Sequence, residues 1–215
     1  MDLKPIKEQV IQLAMECGEF MQTEAKSFDY SKVEFKGKND LVSYVDKELE
    51  IQIVKRLKEI LPEAGFLTEE GTVAQDTNPL KWVIDPLDGT TNFIHGLPVY
   101  STSIALIDGN DLLVGVVNDP NRNECFHAYK GGGAFCNDDV MAVSTLGKIE
   151  DSLLATGFPF YNFDKLEQYV NILNELMRNA HGLRRMGSAA IDLAYVAMGR
   201  CEAYFEYNLN AWDLA

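Results

Sequence analysis

The sequence predicts a mixed α/β (α+β) protein whose chain carries two subdomains, residues 1–145 and 146–215. Three observations predict it. Two long segments near the N-terminus repeat apolar residues at helical spacing. The stretch from Lys81 to Tyr129 reads as successive strands separated by tight turns. After Val143 the pattern changes to strand alternating with helix. No repeat, low-complexity run or composition break marks a linker, so the border near residue 145 is soft.

The elements follow in order. Leu3, Ile6, Val10, Leu13, Ala14, Cys17 and Phe20 or Met21 predict an amphipathic helix to about Lys26. Ser27 to Asn39 is polar and loop-like, with a short strand at Val33–Phe35. A second helix spans about Tyr44 to Leu61 on Val45, Leu49, Ile53, Val54, Leu57 and Ile60, and Pro62 ends it. Gly65–Leu67 reads as a strand, Thr72–Pro79 as a polar loop, and Lys81–Asp85 as a strand. Val99–Ile107 and Leu112–Asp119 form a hairpin around Asp-Gly-Asn-Asp, a sequence suited to tight reversal. Glu124–Tyr129 is a strand, and Gly131–Gly133 punctuates the chain before another. Beyond the border, Ser152–Thr156, Gly182–Met186 and Glu202–Tyr207 read as strands. Phe163–Asn179 and Ser188–Met198 read as helices.

The bulk numbers narrow the function. Asp and Glu total 33 against 19 Lys and Arg, a formal net charge of −14. Such a chain repels nucleic acid and anionic membranes, and repels a phosphorylated metabolite unless cations reverse the local sign. No apolar run approaches a membrane span, and the charged, helix-patterned N-terminus does not read as a signal peptide. A cytoplasmic location is expected. Cys17, Cys125, Cys136 and Cys201 are scattered without a paired motif and are read as reduced thiols.

Four acidic features fall at element ends: Asp46, Glu69, the pair Asp85 and Asp88, and Asp213. The pair sits in "WVIDPLDGTTNF". Convergent carboxylates are costly unless protonated or neutralised by a cation. Hard oxygen donors, with the carbonyl of Leu87 between them, select Mg²⁺, Ca²⁺ or Mn²⁺ over zinc. Gly89 then permits close backbone approach, and successive N–H groups entering a helix suit an anion. One loop thus offers cation ligands followed by phosphate donors. Each residue also has a plainer reading. Asp-Pro-Leu-Asp-Gly makes a good turn; Glu69 fits a solvated loop; Asp46 suits a helix N-terminus; Asp213 suits an N-cap.

Taken together, these motifs resemble the inositol monophosphatase family of Mg²⁺-dependent, lithium-sensitive sugar and inositol phosphatases. The likeness rests on "NDLVSYVD", "LTEEG", "WVIDPLDGTTNFIHGLPVYSTSIAL" and "GLRRMGSAAIDLAYVAMGRCEAYFEYNLNAWDLA", and spans essentially the whole chain. It implies a layered α/β/α/β/α sandwich with a mainly antiparallel N-terminal sheet. It implies hydrolysis of a phosphomonoester by water, with Glu69, Asp85, the Leu87 carbonyl, Asp88 and Asp213 holding two or three Mg²⁺. Mn²⁺ would substitute, and Ca²⁺ and Li⁺ would inhibit. By the same resemblance Gly89 and Thr90 bind phosphate through backbone amides. Thr90, oriented by Asp46, helps Glu69 to activate water. Asp88, Gly187, Ser188, Ala189, Glu206 and Asp213 contact the polyol.

The resemblance leaves the substrate open. An inositol or sugar monophosphate is expected first, with Glu206, Asn208 and Asn210 as hydroxyl partners. Fructose bisphosphate, histidinol phosphate, NADP and adenosine bisphosphate are alternatives, as is a non-catalytic phosphometabolite-binding protein. Arg184-Arg185 suits either a second anionic group or a plain surface pair. A homodimer is expected by analogy. Thr68 stands where the family usually has glycine, and Ser43 where many members have threonine. Members continue for several dozen residues past the Trp-Asp pair, whereas this sequence stops at Ala215. A truncated C-terminal part is therefore expected, with weaker second-metal binding and stability.

Overall fold

The computed structural model describes residues 1–37, 40–75, 77–159 and 162–215. Lys38 and Asn39 of the expected first loop, and Asp76 of the expected Thr72–Pro79 loop, lie outside the described residues.

Helix α1 spans Leu3–Ala25 and α2 spans Tyr44–Ile60. Both bury the stripe that the apolar spacing predicts, including Val10, Leu13, Met21, Leu49, Ile53 and Leu57. Between them, β1 (Glu34–Gly37) pairs antiparallel with β2 (Asp40–Val42). The start of α2 is tied down by a capping box. The Ser43 hydroxyl accepts from Val45 N at 3.1 Å, and Asp46 Oδ2 accepts from Ser43 N at 2.9 Å. Removing such a cap typically costs about 1 kcal/mol. Ser43→Ala is expected to lower stability by roughly that amount, read as a shift in the urea midpoint at unchanged slope.

The main sheet has seven strands in the order β3-β4-β5-β6-β7-β8-β9. They are β3 (Gly65–Thr68), β4 (Leu80–Asp88), β5 (Ser101–Asp108), β6 (Asp111–Asp119), β7 (Glu124–Tyr129), β8 (Gly133–Cys136) and β9 (Asp139–Val140). Only β3 and β4 run parallel; every other pair is antiparallel. At the hairpin between β5 and β6, Gly109 takes φ +61° in the predicted turn. Both faces of β5 are covered, so Ser101 to Leu106 are all buried. On one face α1 and α2 enclose Trp82, Ile84, Ile104, Leu106, Val114 and Val116. The other face contributes Phe126 and Cys136 to a second core with Ala155, Ile191 and Tyr195.

The second sheet has three parallel strands, β10 (Leu153–Thr156), β11 (Gly182–Arg184) and β12 (Ala203–Phe205), in the order β11-β10-β12. Crossovers α4 (Leu166–Asn179) and α5 (Ala189–Ala197) join them. Helix α5 touches β5 and β6 on one side and β12 on the other, while α4 lies against β11. The resulting layers are helices, seven-stranded sheet, helix, three-stranded sheet, helix.

The differences from expectation are local. Helix α4 begins at Leu166 rather than Phe163, and β11 ends at Arg184 rather than Met186. Strand β4 runs on to Asp88, beyond the expected end at Asp85. The chain also adds α3 (Thr90–Ile94) and α6 (Ala211–Leu214). All four cysteines are buried free thiols. Among the described residues no helix is long and apolar enough to cross a membrane.

Candidate metal and phosphate site

The site is built where β4 ends. Side chains alternate along a strand, so residues three apart normally point to opposite faces. Asp85 and Asp88 escape this rule through a bulge. Asp85 pairs with Ser103 and Asp88 with Ser101, so β4 uses one residue more than β5 between these pairs. The extra residue brings both carboxylates to one cavity of about 370 Å³. Pro86 lacks an N–H, which suits the bulge, and its carbonyl accepts from Thr102 Oγ1 at 3.0 Å. Asp85 Oδ1 accepts from Leu87 N at 3.0 Å.

Gly89 follows at φ +94°. A side chain there would meet the Val99 carbonyl oxygen at 2.9 Å and that of Gly187 at 3.1 Å, so only glycine fits. Its carbonyl accepts from Phe93 N, which starts α3 and leaves the first N–H groups of that helix without intrahelical acceptors. Thr90 Oγ1 lies 2.7 Å from Asp46 Oδ1 and 3.0 Å from the Leu87 carbonyl. It has one proton, and the shorter contact directs it to Asp46. Asp46 is fully buried at the N-terminus of α2, and Ser43 holds its other oxygen at 2.6 Å. Asn92 donates to the Val99 and Met186 carbonyls, both at 2.8 Å, joining this loop to the segment before α5.

Glu69 leaves β3 with its N–H donated to the Ile84 carbonyl at 3.2 Å, beside the end of β4. Asp213 belongs to α6, at the third position after Asn210, and accepts from Asn210 N at 2.5 Å. Asn210, not Asp213, is the N-cap. Asp85, Asp88, Glu69 and Asp213 thus line one cavity, together with Leu87, Gly89, Thr90, Gly187, Ala189 and Glu206. Ser188 is placed behind this wall. It is 1% exposed, caps α5, and donates to Asp88 Oδ2 at 2.7 Å, where Ala190 N also donates. Asn208 and Asn210 line the cavity, as does Arg185, whose guanidinium lies over Phe158. Arg184 is exposed and donates to the Leu183 carbonyl.

The electrostatics is that of crowded acids. Burial, then Glu69 and Asp88, push the Asp85 carboxyl well above the ordinary range. Burial pushes Asp88 up to about 6, against the hydrogen bonds from Ser188 and Ala190. Burial also raises Asp46, Glu206 and Asp213. Among the described residues, no three of these groups close into a finished metal cage; they line a shared cavity. The donors are nonetheless all hard oxygens, and like-charge repulsion at Asp85 is what a divalent cation relieves. The residues present therefore fit such an ion.

Two further acids were not legible as site residues. Asp192 on α5 is 1% exposed, and its Oδ1 has no hydrogen-bond partner among the described residues. Glu50 is fully buried on α2, four residues after Asp46, a spacing that places both on one helix face. That spacing is the one signal by which the sequence could have disclosed Glu50.

The family model of the inositol monophosphatase family matches residues 2–215. The chain is 38% identical over 207 residues to an inositol-1-monophosphatase of Mesorhizobium japonicum, covering 96% of this chain and 78% of that protein. It is 40% identical over 214 residues to Nus factor SuhB of Haemophilus influenzae, covering 99% and 80%. The crystal structure of extragenic suppressor protein suhB from Bartonella henselae superposes with a TM-score of 0.92 at 37% identity, covering 99% of this chain and 82% of that one. The chain belongs to the inositol monophosphatase family.

Proposed function

We propose that the protein is a Mg²⁺-dependent phosphomonoester hydrolase acting on an inositol or sugar monophosphate, as a homodimer, with its site at the junction of subdomains 1–145 and 146–215. The observation that carries this reading is the single cavity lined by Glu69, Asp85, Leu87, Asp88, Gly89, Thr90 and Asp213. Glu69, Asp85, Asp88, Asp213 and the Leu87 carbonyl would hold the ions. Bound there, Mg²⁺ would neutralise phosphoryl charge and acidify water.

The chain's own residues supply the rest. Gly89 and Thr90 line the cavity at the helix start, where their N–H groups would donate to phosphate oxygens. Because Asp46 accepts the Thr90 hydroxyl proton, Thr90 Oγ1 is left as an acceptor that can take a hydrogen bond from the attacking water. Glu69 would draw on the same water as base. The water oxygen bonds to phosphorus, the ester P–O bond breaks, and the proton ends on the departing alkoxide. Gly187 and Ala189 leave room for the polyol ring, while Glu206, Asn208, Asn210 and Asp213 offer partners for its hydroxyls. Arg185 in the lining favours, as a variant of this reading, a substrate with a second anionic group, such as a bisphosphate or NADP.

Kinship with a protein named Nus factor SuhB supports a second reading, in which the fold serves as a Nus factor and the site binds a phosphometabolite without turnover. Phosphate release from inositol 1-phosphate and a panel of sugar phosphates separates the two. Mg²⁺-dependent, Li⁺-inhibited release is expected. Calorimetric binding of these compounds with no release from any of them would overturn the hydrolase and favour the second reading.

A further inference from the structure

The Glu50 side chain is shut off from bulk solvent. It is fully buried within α2, where an ionised group without partners would be strongly unfavourable. Its partners come from one place. Glu50 Oε2 accepts from Glu70 N at 2.7 Å. Glu50 Oε1 accepts from Thr72 N at 2.7 Å and Thr72 Oγ1 at 2.8 Å. These are short charge-assisted bonds, about twice as strong as neutral ones. They all fall on the turn that follows Glu69, where Gly71 takes φ +65°.

We infer that Glu50 is a positioning residue for Glu69, and so for the divalent cation that Glu69 would hold. This rests on the reading of the cavity as a metal site. Glu69 is the last residue before the captured turn. On its other side, its own N–H is fixed to the Ile84 carbonyl at 3.2 Å. Its backbone is therefore pinned from both sides, by β4 and by α2. One turn earlier on the same helix, Asp46 accepts the Thr90 hydroxyl at 2.7 Å. A single helix face thus sets two loops that approach the cavity from different parts of the chain. The carboxylate suits this task better than a carboxamide, because the three groups that meet it among the described residues are all donors. In Glu50→Gln one oxygen becomes an NH₂ that faces a donor, and the turn loses its grip.

The test uses the whole chain and reads metal binding directly. Mg²⁺ and Mn²⁺ affinities are measured by calorimetry for the parent, Glu50→Gln and Thr72→Val, with Leu57→Ala as control. Leu57 is buried on the same helix away from the cavity, so its truncation lowers the melting midpoint without touching the turn. Loss of a group that orients a ligand costs about 10- to 100-fold in metal affinity. Glu50→Gln is expected to weaken binding by about 10-fold or more. Thr72→Val, which keeps the buried acid and two of its three bonds, is expected to weaken it by a smaller factor and remains informative where Glu50→Gln does not fold. Leu57→Ala is expected to bind as the parent does. In phosphate release, the Mg²⁺ concentration for half-maximal rate should rise while the rate at saturating Mg²⁺ changes little. Parent-like affinity in both Glu50→Gln and Thr72→Val, or an equal loss in Leu57→Ala, overturns the inference. Absence of binding by the parent itself would instead overturn the metal-site reading beneath it.

Discussion

Asp85→Asn is expected to make the metal-free protein more stable and to abolish its response to Mg²⁺. Asp85 is 2% exposed, and burial first, then the crowding of Glu69 and Asp88, raises its carboxyl well above the usual range. Its folded role is modest: Oδ1 accepts from Leu87 N, and an asparagine oxygen keeps that bond. What the substitution removes is the cost of a buried charge and its repulsion by Glu69 and Asp88. In EDTA at pH 8 the melting midpoint should rise, by about 2–4 °C for each kcal/mol relieved in a chain of this size. With Mg²⁺ the order reverses. A cation at a hundred times its dissociation constant stabilises the parent by about 2.7 kcal/mol, and the variant should lose that increment. Phosphate release should fall at least about 100-fold, since losing a group that merely orients a metal ligand already costs 10- to 100-fold. A variant that melts with the parent in both conditions and keeps its activity would remove Asp85 from the proposed site.

Asp192→Asn is expected to change how stability depends on pH. The carboxyl is pushed up to about 8, first by burial and then by Asp88 and Glu206. A carboxyl whose folded value lies above its unfolded value, about 4, contributes stability that is complete below the unfolded value. That contribution is lost as pH rises through the folded value. The parent should therefore lose stability between pH 5 and pH 9 that an asparagine, which does not titrate, keeps. The difference between variant and parent should move in the variant's favour by a few kcal/mol over that range, at about 1.4 kcal/mol per unit. Urea unfolding in EDTA at several pH values measures it. A difference that is flat with pH would show that Asp192 does not titrate in the window.

These two acids also mark how far the sequence reaches. Helices α1 and α2 were legible because their buried stripes repeat every turn over many residues, and the β5–β6 hairpin because its turn chemistry is local. Strands β2 and β9 are too short to carry a period. Strand β4 runs past the expected end at Asp85 although Pro86 cannot donate to a ladder; its continuation depends on the bulge and on Thr102 from the next strand. Asp46, Glu69, Asp85, Asp88 and Asp213 could be picked out by position and motif, but only the fold brings the last of them to the others. Ser188 could be named but not oriented, because its hydroxyl turns to Asp88 through the capping geometry of α5. Asp192 and Glu50 carry no motif. Their meaning comes from burial and from groups on other parts of the chain, which periodicity does not encode.

The bulge in β4 has a consequence for how this chain can change over time. Strands usually tolerate substitution well and insertion badly, because one added or lost residue turns a strand inside out. Here a deletion between Asp85 and Asp88 would restore regular pairing with β5 and leave both carboxylates on one face, but it would remove the bulge whose carbonyls meet Thr102 and Thr90. The repaired ladder would keep its hydrogen bonds, and the turn that carries Gly89 and Thr90 would lose an anchor. The arrangement is thus tolerant of exchanges of type and intolerant of changes of count. Lineages descending from this chain should vary in which residues occupy positions 86 and 87, but never in how many.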